Sequence, residues 1–306
     1  MREISIKLMM NWPNHLRHSL LKNERLSRHT YFKIGGPVEY WFEPLSFAEL
    51  KNIILLVNKR KIPLFVIGLG SNILADSRGL KGVVIRLNHL NKIKIDAEKN
   101  ELIAQAGVSL NRIIKAAQDA SLSGTEFMIG IPGSLGGALI MNAGISSPYL
   151  MSVGDIVKEV VVLDYSGKVR LLKRKDIRFG YRNSSLGKFI ILSAVLKLNK
   201  GDKQNIRKKI NILKKMRVSG KIFYPNAGCV FKNPNLGLSA GKLIDACGLK
   251  GASFGDAFVS KQHANFIVNK GCASSGDVLG LMGNIKKEVK KRFNVILKPE
   301  IKIWKN

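Results

Sequence analysis

A chain of 306 residues with 51 Lys and Arg against 21 Asp and Glu carries a formal charge of +30, so it draws anions, and its length suits two or three modest domains. Its 45% hydrophobic and 24% charged residues make an ordinary globular balance, and no apolar run approaches the ~20 residues of a membrane span. Three cysteines, Cys229, Cys247 and Cys272, form no C-x-x-C pair, which argues against a disulfide framework or a zinc knuckle and fits a reducing cytoplasm.

Residues 1–22 are broken by charge and by Asn11, Pro13 and Asn14; they lack a signal-peptide core and read as an N-terminal extension. Apolar residues at Phe47, Leu50, Ile53, Ile54 and Val57 recur at helical spacing over 46–59, and 63–67 is a short β-branched strand that ends in a glycine turn. A strand over 82–87 and alternating runs at 92–95 and 101–106 precede an amphipathic helix over 109–120 with Ser109 as its N-cap. Runs 158–163 and 168–172 flank Tyr165-Ser166-Gly167 as a hairpin, and 189–198 is a long apolar strand. After residue 200 the character changes to a basic helix over 205–217, helices at 239–247 and 275–293, and a last strand over 300–304 too short to stand alone. The pattern is mixed α+β, with a domain boundary near 200.

The lysines are scattered, with helix-like clusters at 203–215 and 286–292, and no aromatic residues interleave with them as stacking platforms would. A lysine-rich surface and a phosphate-bearing ligand account for this better than a nucleic-acid module does.

Two glycine segments stand out. Gly68-Leu69-Gly70-Ser71-Asn72 follows a strand, where its backbone forms either a plain tight turn or a nest for phosphate; it lacks the third glycine and acidic residue of a Rossmann fingerprint and the G-K-[ST] of a P-loop. In 124–144, Pro132-Gly133-Ser134 opens a helix with free N–H groups, and Gly136-Gly137 keeps that helix thin for a flat ligand. Together the two loops suggest a dinucleotide diphosphate held between two subdomains. A third segment, P-N-A-G-C-V-F-K-N-P over 225–234, displays Cys229 between glycine and a cationic, amide-bearing tail, and a thiol is a far stronger acid than a serine hydroxyl.

With these segments in place the chain resembles UDP-N-acetylenolpyruvoylglucosamine reductase from residue 23 onward. The resemblance is carried by T-Y-F-K-I-G-G at 30–36, the loop 68–72, the segment 124–144, F-G-Y-R-N-S at 179–184, the loop 228–234, H-A-N-F at 263–266, and Pro299-Glu300. It implies a PCMH/VAO-type FAD-binding fold of two α+β subdomains, 23–88 completed by 298–306 and then 89–200, with an α+β substrate-binding domain over 201–297. The short connection from Arg182 to Phe189 is similar to that of the compact subtype without an extra capping loop.

The activity implied is FAD-dependent reduction of the enolpyruvyl ether of UDP-N-acetylglucosamine to UDP-N-acetylmuramate, with NADPH as reductant. Cofactor contacts are implied for Gly68, Leu69, Gly70, Ser71 and Asn72, and for Ile131, Pro132, Gly133, Ser134, Gly136, Gly137, Asn142 and Gly144. Arg182 matches the arginine that holds the substrate carboxylate and stabilises its enolate form. Cys229 falls where the family most often has serine and would give a proton to the α-carbon, provided Lys232 does not depress its pKa until it ionises. Glu300 would work with Arg182 or serve as an alternative acid. Lys232, Asn233 and His263 are implied substrate contacts, although a structural histidine fits position 263 as well. Arg217, Lys221 and Tyr224 are further candidates in a segment that departs from the family pattern. The expected partner is a small UDP-sugar, bound by a cytoplasmic monomer, with neither nucleic acid nor membrane and no metal. Two rival readings remain: a sugar or lactone oxidase of the same superfamily, which has no need of Arg182, Cys229 and Glu300 together, and a basic nucleic-acid-binding protein, which would purify colourless.

Overall fold

The computed structural model describes residues 12–145, 150–218, 222–234 and 239–306. The first sheet runs in the order Leu20–Arg25, Pro37–Phe42, Leu80–Arg86, Leu64–Ile67, with the last three strands parallel and the first antiparallel to its neighbour. Its parallel pairs need a crossover, which the helix Phe47–Lys59 supplies. Ser46 caps that helix by accepting from Glu49 N, and Leu50, Ile53, Ile54 and Val57 bury the face that the apolar spacing marked.

The second sheet is antiparallel throughout, in the order Val169–Lys173, Val157–Leu163, Ile190–Lys197, Glu101–Gln105, Ile93–Asp96. The helix Leu110–Asp119 starts where Ser109 accepts from Arg112 N, as its sequence implied. One continuous core joins the two sheets, from Phe42, Ile54 and Ile85 on one side to Ile113, Val160 and Leu196 on the other. A ligand lying between the two sheets therefore rests on a shared rigid base.

A third, antiparallel sheet of Asn226–Cys229, Phe266–Asn269, Ala257–Val259 and Ser253–Phe254 packs with the helices Ala240–Ala246 and Ser275–Phe293 over a separate core. The short strand Lys302–Trp304 crosses back and pairs in parallel with Ile73–Ala75, so the chain end is pinned beside the first glycine loop. No helix among the described residues is long and apolar enough to cross a membrane.

Two packing relationships cut across the sequence-based division. Trp12 and Leu16, within the stretch read as an extension, are 2% and 1% exposed in the core of the first two sheets, and Leu20–Arg25 is an edge strand. The helix Lys203–Val218, which begins past the boundary expected near 200, seats Ile206 and Ile210 in that same core. Both stretches are held by the part of the molecule built on the first two sheets rather than standing apart from it.

Candidate functional site

The two glycine loops touch. Ser71 Oγ donates to the carbonyl of Pro132 at 2.7 Å, and a Cβ on Gly68 would lie 2.4 Å from Ser134 Oγ. Gly70 has φ +67, and a Cβ there would stand 2.0 Å from His29 O, so only glycine lets this turn pass the 26–34 segment. Leu69 is half-buried. Asn72 closes the loop with contacts to the chain end: its Nδ2 donates to Glu300 O at 3.3 Å, and its carbonyl accepts from Lys302 N at 2.9 Å.

The second loop runs into the helix Leu135–Met141 with Ser134 at its N-cap, as the Pro-Gly-Ser pattern implied. The expectation that this helix start keeps its N–H groups free needs correction. Leu135 N donates to Val108 O at 2.8 Å and Gly136 N to Ala106 O at 2.9 Å, because the helix leans on the end of the strand Glu101–Gln105. Gly136 serves that close approach, since its Cβ would meet Ala106 Cβ at 3.2 Å. Gly137 does not: a Cβ there would meet only Ser134 Oγ, at 3.7 Å, and Gly133 has an equally open face, with Ser71 Oγ nearest at 3.8 Å. Bare backbone that no internal contact requires is what a flat bound group needs, so these residues fit FAD. Ile131 is half-buried against the core.

Asn142 and Gly144 are structural in this geometry. Asn142 caps the helix with φ +45, gives Nδ2 to Gly180 O at 3.0 Å, and accepts from Gly154 N at 2.9 Å. Gly144 bridges Ser152, and a Cβ on it would stand 2.2 Å from Met151 O. With its carboxamide committed to protein on both sides, Asn142 ties the cofactor-side helix to the hairpin Phe179–Gly180 and Asn183–Ser184.

That hairpin turns through Tyr181 and Arg182, and Arg182 adopts φ +50, a left-handed conformation that costs a non-glycine residue on the order of 1 kcal/mol. The turn aims the guanidinium at the side-chain carboxylate of Glu300: Arg182 Nε donates to Glu300 Oε1 at 2.9 Å, with the two side chains 20% and 15% exposed. Lys232 Nζ donates to Arg182 O at 3.2 Å. Burial raises the Glu300 carboxyl above its ordinary value, while Arg182 and then Lys232 pull it down. Cys229 lies in the field of both partners, and burial, followed by the charge of Glu300, pushes its thiol up to about 12 against the opposing pull of Arg182 and a hydrogen bond from Asn265. The concern that Lys232 would ionise the thiol is reversed, because desolvation of the sulfur outweighs every nearby cation.

The three expected catalytic residues therefore converge, although they come from three separate stretches of chain. Arg217 joins their periphery, half-buried, its pKa lowered by burial and then by Arg182, with Nη2 donating to Phe127 O at 3.4 Å. A solvent-open cavity of 390 Å³ adjoins Arg182, walled by Asn142, Ile145, Tyr181, Asn233 and Pro234 among others; Cys229 and Glu300 are not in its walls. Asn233 donates its N–H to Tyr181 Oη at 3.4 Å, and its Oδ1 accepts from Ala240 N at 3.0 Å. His263 is not in the walls of that cavity; its Nδ1 accepts from Asn265 N at 3.2 Å and its ring meets Phe266. Tyr224 is 51% exposed, with its ring 5.9 Å from the Lys270 ammonium. Lys221 lies outside the described residues.

Sequence reasoning passed over Tyr181 and Asn265 as site residues. The Tyr181 ring lies 5.2 Å from the Arg182 guanidinium carbon and lines the cavity, a place that an aromatic at a hairpin tip beside an arginine could have signalled. Asn265 is buried beside the thiol, and its signal is a polar residue set in the apolar run 264–268.

Comparison with known proteins places the chain in a family. Residues 220–304 match the model of the UDP-N-acetylenolpyruvoylglucosamine reductase C-terminal domain, and residues 38–173 match that of an FAD binding domain. A UDP-N-acetylenolpyruvoylglucosamine reductase of Caldanaerobacter subterraneus is 43% identical over 287 residues, 93% of each chain. One of Clostridium tetani is 42% identical over 284 residues, 92% of this chain and 91% of its own. The crystal structure of the Thermus caldophilus reductase superposes with a TM-score of 0.78 at 33% identity, covering 94% of this chain and 98% of that one. The glucose dehydrogenase Phl p 4.0202, 15% identical with a TM-score of 0.50 over 63% of this chain and 43% of its own, shares the fold over that share of the chain. The chain belongs to the UDP-N-acetylenolpyruvoylglucosamine reductase family.

Proposed function

We propose that this chain reduces the enolpyruvyl ether of UDP-N-acetylglucosamine to UDP-N-acetylmuramate, a step of peptidoglycan precursor synthesis, as a cytoplasmic monomer using NADPH. The observation that carries the reading is the hydrogen bond of 2.9 Å between Arg182 and Glu300, with Glu300 N donating to the carbonyl of Val230, the residue after Cys229, at 2.7 Å. The two-sheet part, with the stretch around Trp12, the helix Lys203–Val218 and residues 298–306, holds the cofactor in this reading, and the third sheet with its helices, within 222–297, holds the sugar nucleotide. FAD, when bound, takes reducing equivalents from NADPH and supplies hydride to the enolpyruvyl methylene.

The chain's own residues do the rest. Arg182 spends Nε on Glu300, which leaves its two Nη nitrogens to fork onto the substrate carboxylate and hold the negative charge as it spreads from the α-carbon. Glu300 fixes the guanidinium plane. Cys229 keeps its proton through the neutral range because the thiol is pushed up to about 12, yet it remains acidic enough to give that proton to an α-carbanion. Lys232 and Asn233, beside the cavity, supply a cation and an amide for the diphosphate or sugar, with Arg217 behind them. His263 and Tyr224 are kept as outer contacts of the nucleotide, and Lys221 belongs to the same group.

The deciding experiment is anaerobic stopped-flow absorbance at the flavin band. Reduction by NADPH followed by rapid reoxidation on adding the enolpyruvyl sugar nucleotide is expected. A flavin that the sugar nucleotide leaves reduced, but that O₂ reoxidises rapidly with a sugar or lactone as electron source, would transfer the chain to the oxidase reading.

A further inference from the structure

Asn265 is 3% exposed, and three of its hydrogen bonds end on the two residues that follow the thiol. Its Oδ1 accepts from Phe231 N at 2.9 Å, its Nδ2 donates to Phe231 O at 2.8 Å, and its own carbonyl accepts from Val230 N at 2.8 Å. A carboxamide that bonds both the N–H and the C=O of one residue acts as an extra rung of a strand ladder. It is placed where the ladder between Asn226–Cys229 and Phe266–Asn269 stops, with Cys229 opposite Phe266. That ladder shifts register between Asn226 and Cys229, and Gly228 at φ +77 lies inside the shift, so strand pairing alone constrains the thiol residue weakly. On the opposite side Glu300 N donates to Val230 O at 2.7 Å and Phe231 bridges Pro299. Segment 230–231 is thus clamped between Asn265 and the backbone that carries Glu300.

We propose that Asn265 is a positioning residue for proton delivery: by holding both the N–H and the C=O of Phe231 while its own carbonyl holds Val230 N, it fixes the backbone next to Cys229 against the segment that carries Glu300, and so sets where the thiol stands. The inference rests on the reading of Cys229 as proton donor. In that step the S–H bond breaks with its electron pair kept by sulfur, a C–H bond forms from the carbanion pair of the substrate α-carbon, and water later returns a proton to sulfur. Nothing is oxidised or reduced in the transfer.

The test uses the FAD-loaded full chain with Asn265→Ser and Asn265→Asp, each alone and combined with Cys229→Ala. Both single variants are expected to be reduced by NADPH within about two-fold of the parent and to reoxidise on the enolpyruvyl substrate about 10- to 100-fold more slowly, the range of a misplaced reacting group. Neither is expected to slow the Cys229→Ala enzyme further, because the group that the clamp positions is already gone. Equal loss in both half-reactions, or further loss in the Cys229→Ala background, overturns the proposal in favour of a purely structural asparagine. If Asn265→Ser fails to retain flavin, Asn265→Asp decides, since it keeps the size and the acceptor for Phe231 N; flavin loss in both also overturns the role. Cys229→Ala reoxidising at the parental rate would remove the donor assignment itself, whereas slow Cys229→Ala with fast Asn265→Asp would remove only the positioning role.

Discussion

Arg182 and Glu300 lie 118 residues apart in the chain and are joined by a hydrogen bond of 2.9 Å between Nε and Oε1. The pair is partly buried, and a side-chain amide from each glycine segment anchors one member: Asn142 Nδ2 donates to Gly180 O of the arginine hairpin, and Asn72 Nδ2 donates to Glu300 O. The two glycine segments therefore hold the pair from both sides. Arg182→Lys keeps a positive charge but loses the fork, so kcat/KM for the enolpyruvyl substrate is expected to fall about 10²- to 10³-fold while NADPH reduction of the flavin is preserved. Stopped-flow separation of the two half-reactions checks this, and parallel loss in both would assign Arg182 to the cofactor.

Cys229 separates donor chemistry from packing. Cys229→Ala is expected to slow flavin reoxidation about 10²- to 10⁴-fold and leave reduction by NADPH intact, because only the second half-reaction consumes the proton. Cys229→Ser is expected to stay within about 10-fold of the parent if a positioned O–H suffices, since either group holds a proton against a much more basic carbanion. An inactive serine variant with normal flavin binding would mean that sulfur itself is required.

Raising the thiol also ties stability to pH. An unfolded thiol ionises near 8.5 and the folded one at about 12, so above pH ~8.5 the unfolded chain holds fewer protons and stability falls as pH rises towards the folded value. Between pH 8 and 10 the parent is expected to lose on the order of 2 kcal/mol relative to Cys229→Ser, which has no such group. Urea unfolding at the two pH values reads the difference directly; an unchanged gap would mean that the thiol ionises normally. Iodoacetamide at pH 8 should meanwhile label the exposed Cys272 and spare Cys229, as peptide mass spectrometry would reveal.

How much of this was legible in the sequence depended on whether the deciding interaction was local. The helices Phe47–Lys59 and Leu110–Asp119 announced themselves because cap and apolar period act within one turn or two. The trio Arg182, Cys229 and Glu300 came from motif resemblance, and nothing in the spacing of those residues dictates their meeting. Trp12 and Leu16 were set aside as an extension because a short 3-10 turn has no period to detect, although both are core residues. The bonds that Asn142 and Asn72 make to distant backbone, at Gly180 O and Glu300 O, have no local sequence signal. The free N–H groups expected at Leu135 and Gly136 go to Val108 and Ala106, a tertiary choice that local sequence does not encode.

Gly137 offers a test in which stability and cofactor binding move in opposite directions. It sits exposed inside the helix Leu135–Met141, where alanine is worth about 1 kcal/mol more than glycine, and its Cβ would meet nothing closer than Ser134 Oγ at 3.7 Å. Gly137→Ala is therefore expected to raise the unfolding free energy of the flavin-free protein by up to about 1 kcal/mol. If the open face is bare because the flavin lies against it, the added methyl crowds the bound ring, and FAD affinity should fall at least about 10-fold by fluorescence titration. Gly136→Ala makes the contrast, because its Cβ meets Ala106 at 3.2 Å and the change should destabilise the fold with or without flavin. A Gly137→Ala protein that is more stable and binds FAD as tightly as the parent would move the cofactor off this helix.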